Sequence, residues 1–286
     1  MAAPTVRTRQ LAAELRQIRD GLGLRIEDVV ARTGAALNGS KISRIETGRV
    51  GVKIADLETL LKVYEIPEDS PVHQRLMRLA RSRKQRGWWQ PYSDQISTAY
   101  VDLITQEAEA TSQRTYQDRL IPGLCQTAAY ARATIKAINM TDPAEKVDTL
   151  VEVRMARQSA LTRPEPLELW AIIHEAALRL RMADPTIMRD QLQRLLDLTE
   201  LPQVSIQVLP LDATPHPGLS GAFTMLGFEQ TKDLDVVLVE NLKTALYVEN
   251  PAEVSVYGTA FERLRAAARP VDESADLIAS LKEQLR

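Results

Sequence analysis

The sequence contains few of the residues that build covalent or metal-based frameworks. It has one cysteine, Cys125, and three histidines, which lie in distant segments at His73, His174 and His216. A lone cysteine excludes a disulfide framework, and histidines so far apart do not have the spacing of a zinc site. We therefore expect no metal and no cofactor, and we assign Cys125 to the apolar core.

Long apolar runs are also absent. No uninterrupted apolar stretch approaches the roughly 18 residues that span a bilayer, and the N-terminal segment MAAPTVRTRQL lacks the apolar centre of a secretory signal. With 44% hydrophobic and 26% charged residues, the composition is that of a globular protein. These features predict a cytoplasmic protein with no membrane partner, and a length of 286 residues favours two domains.

Charges of the two signs nearly cancel over the whole chain, but they are unevenly distributed. Residues 1–87 contain 17 Lys and Arg against 10 Asp and Glu, a net charge of +7, which leaves −9 for residues 88–286. Because affinity for nucleic acid comes largely from Lys and Arg at phosphates, this asymmetry favours contact of the first part with a polyanion. A basic face that is merely solvated is the alternative.

The first part of the chain has the apolar periodicity of five short helices. Its apolar residues recur at spacings of three and four, as they do on one face of an amphipathic helix. Glycines at positions 23, 34 and 48 are expected to end the first three helices. The predicted helices cover about residues 9–22, 26–33, 39–47, 55–64 and 71–86. Together they predict an all-α N-terminal domain.

The third predicted helix has two faces of different character. Asn38 is a suitable N-cap, while Ile42 and Ile45 would pack into the domain. The opposite face carries only small or polar residues: Gly39, Ser40, Ser43 and Arg44. A helix-turn-helix needs this arrangement, because one face is anchored in the domain and the other enters the major groove. An ordinary solvated helix face is the alternative.

The segment SKISRIETGR, residues 40–49, makes the prediction more specific. Together with RQLAAELRQIRDGLGL before it and IADLETLLKVY after it, the segment resembles the lambda-repressor-like (XRE-type) helix-turn-helix regulators over about residues 8–66. The resemblance implies binding to double-stranded DNA, and a homodimer is expected because these proteins recognise paired half-sites. It implies that the DNA bases face Gly39, Ser40, Ser43 and Arg44. The residues that we assign to phosphate contacts are Asn38, Lys41, Arg49, Arg25 and Lys53.

The chain changes character after a basic cluster that comprises Arg78, Arg81, Arg83, Lys84 and Arg86. The segment GWWQPY follows directly, and we place the domain boundary there, with one domain at residues 1–86 and a second at residues 87–286. Trp88 and Trp89 could stack on bases, but adjacent aromatic residues after a helix more often hold one domain to the next.

The second part of the chain alternates between helical and strand-like patterns. Helices are predicted at about residues 98–116, 126–138, 142–161, 185–199, 251–268 and 272–285. Strands are predicted at about residues 167–173, 204–210, 222–228, 236–241 and 245–250. The later strands are close enough in sequence for antiparallel pairing. The pattern predicts an α+β domain with a mostly antiparallel sheet.

No segment of the second part has a convincing catalytic motif. The sequence HEAAL at His174 lacks the second histidine of a zinc-protease helix, so His174 is expected to end a strand. Asp212, His216 and Ser220 could form a triad only if one loop gave them the required geometry. We therefore expect no enzyme. An enzyme recruited to DNA, with its chemistry around Asp212 and His216, is the alternative.

Several segments of the second part carry a further resemblance. The strings GWWQPYSD, VEVRMARQSAL, HPGLSGAFTML and YVENPAEVSVY are similar to a C-terminal domain of unknown function that follows this helix-turn-helix in an actinobacterial regulator family. The resemblance implies a transcriptional regulator whose C-terminal domain binds a small acidic protein encoded nearby, or a ligand. An antitoxin-like protein that mainly neutralises its small partner is the alternative.

Overall fold

The computed structural model describes residues 6–34, 36–82, 87–228, 235–242 and 244–285. The chain forms two compact units, Met1–Gln90 and Pro91–Arg286. The boundary predicted after residue 86 is near this division. Residues 83–86, which include three members of the predicted basic cluster, lie outside the described residues.

The first unit consists of helices, as its apolar periodicity predicts. The described helices are α1 (Val6–Gly21), α2 (Ile26–Arg32), α3 (Gly39–Glu46), α4 (Ile54–Val63) and α5 (Pro71–Ser82). Residues without solvent exposure come from each of the five: Leu15, Val29, Ile42, Leu57 and Leu76. The unit is therefore built around the apolar faces that the sequence marks at spacings of three and four.

Glycines end the first three helices at the predicted positions. Gly23, Gly34 and Gly48 have φ angles of 68°, 59° and 68°, in the left-handed region. A residue with a Cβ atom is strained in that conformation, so glycine is favoured directly after a helix. The turns between α1 and α4 therefore follow from the sequence itself.

The second unit combines helices with one sheet. Its described helices are α6 (Thr98–Glu109), α7 (Ala128–Ile138), α8 (Ala144–Arg157), α9 (Glu175–Leu178), α10 (Pro185–Thr199), α11 (Pro251–Ala267) and α12 (Val271–Glu283). Its strands are β1 (Ser112–Gln117), β2 (Glu168–His174), β3 (Val204–Leu209), β4 (Phe223–Gly227), β5 (Val236–Glu240) and β6 (Ala245–Val248). His174 ends β2, as predicted.

The sheet is mixed, which corrects the expectation of a mostly antiparallel sheet. Its strand order is β3-β2-β1-β4-β5-β6. β1 pairs with β2 and β2 with β3 in parallel, whereas β4, β5 and β6 continue from β1 in antiparallel pairings. Helices connect the parallel strands, α7 and α8 before β2 and then α9 and α10 before β3. The antiparallel pairing predicted for the later strands is confirmed.

The central strand β1 corrects a second expectation, because its residues were predicted as the end of a helix over 98–116. The helix α6 stops at Glu109, and β1 has the polar sequence SQRTYQ. Thr115 is fully buried, and its hydroxyl lies 2.9 Å from that of Thr224 on β4. A buried strand with polar residues lacks the apolar run that marks such strands, so the pattern concealed it.

Helix α11 packs on one face of the sheet, and α12 packs against its edge strand β3. Phe261 and Leu264 of α11 belong to a buried apolar cluster with residues of β1, β2, β4, β5 and β6. At the outer edge of β3, the backbone N–H of Val208 donates to the hydroxyl of Ser274 on α12, over 2.9 Å. In the described part of the chain, no helix has both the length and the apolar composition needed to cross a membrane.

Candidate DNA-binding interface

The third helix of the first unit is anchored by its apolar face and capped at its start. Ile42 and Ile45 are buried against the other helices, as predicted. The side-chain oxygen of Asn38 accepts a hydrogen bond from the backbone N–H of Lys41, at 2.8 Å. This bond satisfies one of the free N–H groups at the helix start, so the predicted N-cap is confirmed.

The opposite face of α3 presents short side chains and one long one. Ser40 and Arg44 are exposed, and Ser43 is half-buried. The Nε atom of Arg44 donates to the carbonyl of Ser40 at 3.2 Å, and Arg44 forms no ion pair with any residue in the described ranges. Its remaining guanidinium donors therefore stay available, and Arg44 is the one side chain among the four predicted base-facing residues that is long enough to span a base edge.

Gly39, the first residue of α3, lies close to α2. A Cβ atom built on Gly39 would lie 3.3 Å from Cγ2 of Ile26 and 3.9 Å from Cγ2 of Val30. The first contact is tighter than usual, so a side chain at this position would require the Ile26 side chain to shift slightly, and the missing side chain lets the two helices pack closely. The structure thus gives Gly39 a packing role that the sequence analysis did not include, and its position at the DNA bases stays a prediction.

Three of the basic residues that we assign to phosphate contacts are exposed and lie on different segments. Arg25 precedes α2, Arg49 follows α3, and Lys53 precedes α4. The side chain of Arg25 is 82% exposed, and its Nε atom lies 3.6 Å from a carboxylate oxygen of Asp28. An ion pair this exposed contributes little to stability, so its carboxylate competes only weakly with a phosphate.

Lys41 differs from these three residues because its charge is already paired. Its Nζ atom lies 2.8 Å from Oδ1 of Asp56 on α4, and the Lys41 side chain is 34% exposed. The other carboxylate oxygen of Asp56 is buried and has no hydrogen-bond partner in the described structure. A phosphate contact by Lys41, which stays a prediction, would have to compete with this ion pair.

A buried charged network fixes the C-terminal end of α3, and the sequence analysis missed it. The Nε and Nη2 atoms of Arg19 donate to the two carboxylate oxygens of Glu46, at 2.8 and 2.9 Å. The hydroxyl of Tyr64 lies 3.4 Å from Glu46, and Arg19 also donates to the carbonyl of Leu24 at 2.7 Å. The signal in the sequence was a charge at an inward position, since Glu46 stands four residues after Ile42.

The pKa shifts in this network follow from the same contacts. The hydrogen bond with Glu46 raises the pKa of Arg19, against the opposing effect of burial. Burial, followed by the charge of Glu46, raises the pKa of Tyr64 above its ordinary value. Arg19 therefore stays charged and Tyr64 stays neutral. Neither group loses its proton while the network holds α3 against α1 and α4.

An open cleft of about 650 Å³ lies between α1 and the end of α3. Its lining carries charges of both signs, with Arg9, Arg16 and Asp20 on α1 and Glu46 at the end of α3. Arg16 lies 3.6 Å from Asp20. Because the charges compensate one another, the cleft does not have the single sign that attracts a polyanion, and the outward face of α3 is the better candidate for DNA contact.

The residues considered for catalysis in the second unit are not joined into a site. Within the described residues, no hydrogen bond links Asp212, His216 and Ser220. The ring of His216 lies 6.3 Å from that of His174, and its buried Nδ1 atom has no hydrogen-bond partner among the described residues. Burial, followed by the charge of His174, lowers the pKa of His216. Cys125 is fully buried, as assigned, and burial raises the pKa of its thiol to about 12.

Comparison with known protein families identifies both units. The family model described as "Helix-turn-helix domain" matches residues 10–70, which include α2 and α3, so the first unit contains a DNA-binding helix-turn-helix domain. The model described as "Domain of unknown function (DUF5753)" matches residues 100–280. This match covers more than half of the chain, and the protein belongs to that family. No curated protein and no solved structure matches the chain.

Proposed function

We propose that the protein is a transcriptional regulator of the lambda-repressor-like (XRE) type that binds specific double-stranded DNA sites as a homodimer. The outward face of α3 carries this proposal, since exposed Ser40 and Arg44 lie opposite the buried Ile42 and Ile45. The net charge of +7 on residues 1–87 supports it, because Lys and Arg supply the affinity for phosphates. A homodimer fits because such domains bind paired half-sites.

We further propose that the second unit is a regulatory domain without catalytic activity, which receives a small acidic protein or a ligand. The similarity of its sequence segments to the C-terminal domain of an actinobacterial regulator family supports this role and an actinobacterial origin. The separation of Asp212, His216 and Ser220 also supports it, because a triad requires hydrogen bonds between its members.

Selection of binding sites from random duplex DNA tests the proposed regulator. We expect the wild-type protein to enrich two half-sites whose centres lie about one helical turn, or a multiple of it, apart. Arg44→Ala should reduce the binding free energy on the selected site by about 1 to 3 kcal/mol and relax the preference at one base pair. We expect that base pair to contain a guanine, because its major-groove edge offers two acceptors to an arginine.

Arg49→Ala is the matched control for this selection. A phosphate contact is independent of sequence, so Arg49→Ala should weaken binding to all sites alike. The slope of log affinity against log salt should fall by about one, the value for one phosphate contact. An unchanged sequence preference in Arg44→Ala would contradict base contact by this residue. If the wild-type protein enriches no site, the proposal of a sequence-specific regulator is wrong.

A further inference from the structure

Two arginines of α8 point towards the same short turn in the second unit. Arg154 and Arg157 lie three residues apart and meet the turn Gly123–Cys125. A methyl group built on Gly123 would lie 3.8 Å from Nη1 of Arg157, 4.0 Å from its Nη2, and 4.0 Å from Nε of Arg154. The two guanidinium groups therefore converge on the space next to Gly123, which has no side chain to fill it.

Arg157 already has a carboxylate partner. Its Nε and Nη2 atoms donate to the two oxygens of Glu107, at 2.7 and 2.5 Å, and its Nη1 atom donates to the hydroxyl of Tyr100 at 3.0 Å. The charge of Arg157 is thus compensated by Glu107. Each Nη atom carries a second N–H, so Arg157 can still donate towards Gly123.

Arg154 has no such compensation. Its Nη1 atom donates to the side-chain oxygen of Gln126 at 2.9 Å, which is a neutral acceptor. Within the described part of the chain, its buried Nε atom has no hydrogen-bond partner, and no carboxylate lies within ion-pair distance of Arg154. A partly buried guanidinium with an unsatisfied donor is unfavourable unless an anion accompanies it.

Tyr100 adds a third polar group to the arginine pair. Burial alone would raise the pKa of its hydroxyl, but the charges of Arg157 and Arg154, together with hydrogen bonding from both arginines, outweigh that effect and lower the pKa. The surroundings of the Tyr100 hydroxyl, which Arg157 contacts, therefore favour negative charge. Among the described residues, the two guanidinium groups have one carboxylate partner, Glu107, which leaves one positive charge uncompensated.

We propose that Arg154 and Arg157, beside Gly123, form a binding site for an oxyanion, namely the carboxylate or phosphate group of a ligand. Planar guanidinium groups match the geometry of these anions and donate to two oxygens at once. Arg154 supplies the compensating charge and Arg157 a second donor. The assignment of this oxyanion as the regulator's signal rests on the proposed function. Binding of the anion itself does not.

Thermal unfolding and calorimetric titration of the full chain, without DNA, test the site. The probes are inorganic phosphate, succinate and a short polyglutamate peptide, each compared with sodium chloride at the same ionic strength. Phosphate or succinate should raise the unfolding temperature of the wild-type protein beyond the chloride baseline, because a ligand that binds only the folded state stabilises it. A response confined to polyglutamate would support the site and assign its anion to an acidic polypeptide.

Arg154→Gln should weaken binding of the effective probe by about tenfold or more, since it removes a charge-assisted donor. Gly123→Ala should also weaken it, because the added methyl group occupies the space between the guanidinium groups at ordinary contact distances. Arg189→Gln is the matched control, as this arginine of α10 is 50% exposed and pairs only with its neighbour Asp190 in the described structure.

Two outcomes would overturn the proposal: no probe stabilises the wild-type protein beyond chloride, or Arg154→Gln binds the probe as tightly as Arg189→Gln. If Arg154→Gln does not fold, Gly123→Ala decides, and undiminished binding by that variant overturns the site. Since DNA takes no part in these measurements, their failure leaves the DNA-binding proposal standing.

Discussion

The arginines on the surface of the first unit differ in their surroundings from those in the interior of the second unit. In the helix-turn-helix unit, Arg25, Arg44 and Arg49 are exposed on or beside the helices that would meet DNA. In the second unit, the side chain of Arg157 is 6% exposed, and Arg163 donates to three backbone carbonyls at the end of α6. Sequence counts treat all these charges alike, whereas only the exposed ones are available to a polyanion.

The units also share one device, a buried arginine that binds both oxygens of a glutamate distant in sequence. Arg19 and Glu46 are 27 residues apart, and Glu107 and Arg157 are 50 residues apart. In the first unit the pair holds the end of α3, and in the second it joins α6 to α8. The two pairs differ in what they position: the candidate DNA-binding face of α3 in the first unit, and the arginines beside Gly123 in the second.

The largest expected effect is the loss of the buried pair in the second unit. Arg157→Ala leaves Glu107 buried and uncompensated, which should destabilise the unit by about 3 to 5 kcal/mol. Chemical denaturation followed by circular dichroism measures the change. The control Arg189→Ala should cost less than about 0.5 kcal/mol. Equal costs for the two variants would show that burial does not distinguish the arginines of this unit.

Loss of the corresponding pair in the first unit should cost somewhat less. Glu46→Ala removes the carboxylate, but Arg19 keeps Leu24 and Asp20 as partners, so we expect a loss of about 3 kcal/mol. Because the end of α3 is released, DNA affinity should fall as well. Glu58→Ala, an exposed change on α4, is the control. DNA affinity that survives Glu46→Ala unchanged would contradict the positioning role of this pair.

A smaller effect separates the two roles of Asn38. Asn38→Ala should destabilise the protein by about 1 kcal/mol because the N-cap bond to Lys41 is lost. Asn38→Asp keeps that bond but adds a negative charge next to the predicted phosphate contact. It should therefore preserve the unfolding temperature and weaken DNA binding in a filter-binding titration. Unchanged DNA affinity in Asn38→Asp would argue against a phosphate close to this residue.

The smallest effect tests whether Lys41 belongs with the exposed arginines. Asp56→Asn removes its carboxylate partner and frees the ammonium group, at a stability cost below about 1 kcal/mol. If Lys41 contacts phosphate, nonspecific DNA binding should tighten, and its logarithmic salt slope should steepen by about 0.9. Glu58→Gln on the same helix is the control. A salt slope equal to that of the control would place Lys41 away from the phosphates.

The helices of the first unit could be predicted because each depends on local signals. Apolar spacing marks the buried face of a helix, and Gly23, Gly34 and Gly48 mark the ends. The long helix α10 was predicted over the same residues, 185–199, from Asp184 and Pro185 at its start. The strand β1 was not predicted, because the burial of Thr115 depends on β4, a partner more than 100 residues away in the sequence.

The candidate DNA-binding site shows the same limit. The outward position of Ser40, Ser43 and Arg44 followed from helical periodicity, which repeats every 3.6 residues whatever surrounds the helix. The pairing of Lys41 with Asp56 could not be predicted from that periodicity, since an ion pair between two helices depends on how they pack. Gly39 is a similar case, because its closeness to Ile26 exists only once α2 and α3 have docked.

The sequence by itself determined the division of the chain into a helical part and a mixed part, most helix and strand positions, and the residues on the outward face of α3. These features depend on local periodicity, capping residues and charge. Tertiary structure alone decided the parallel pairing of β1, β2 and β3, the burial of Arg19 with Glu46, and the convergence of Arg154 and Arg157 beside Gly123. The physical reason is that burial and pairing are properties of distant segments in contact, and no local pattern records which segments will meet.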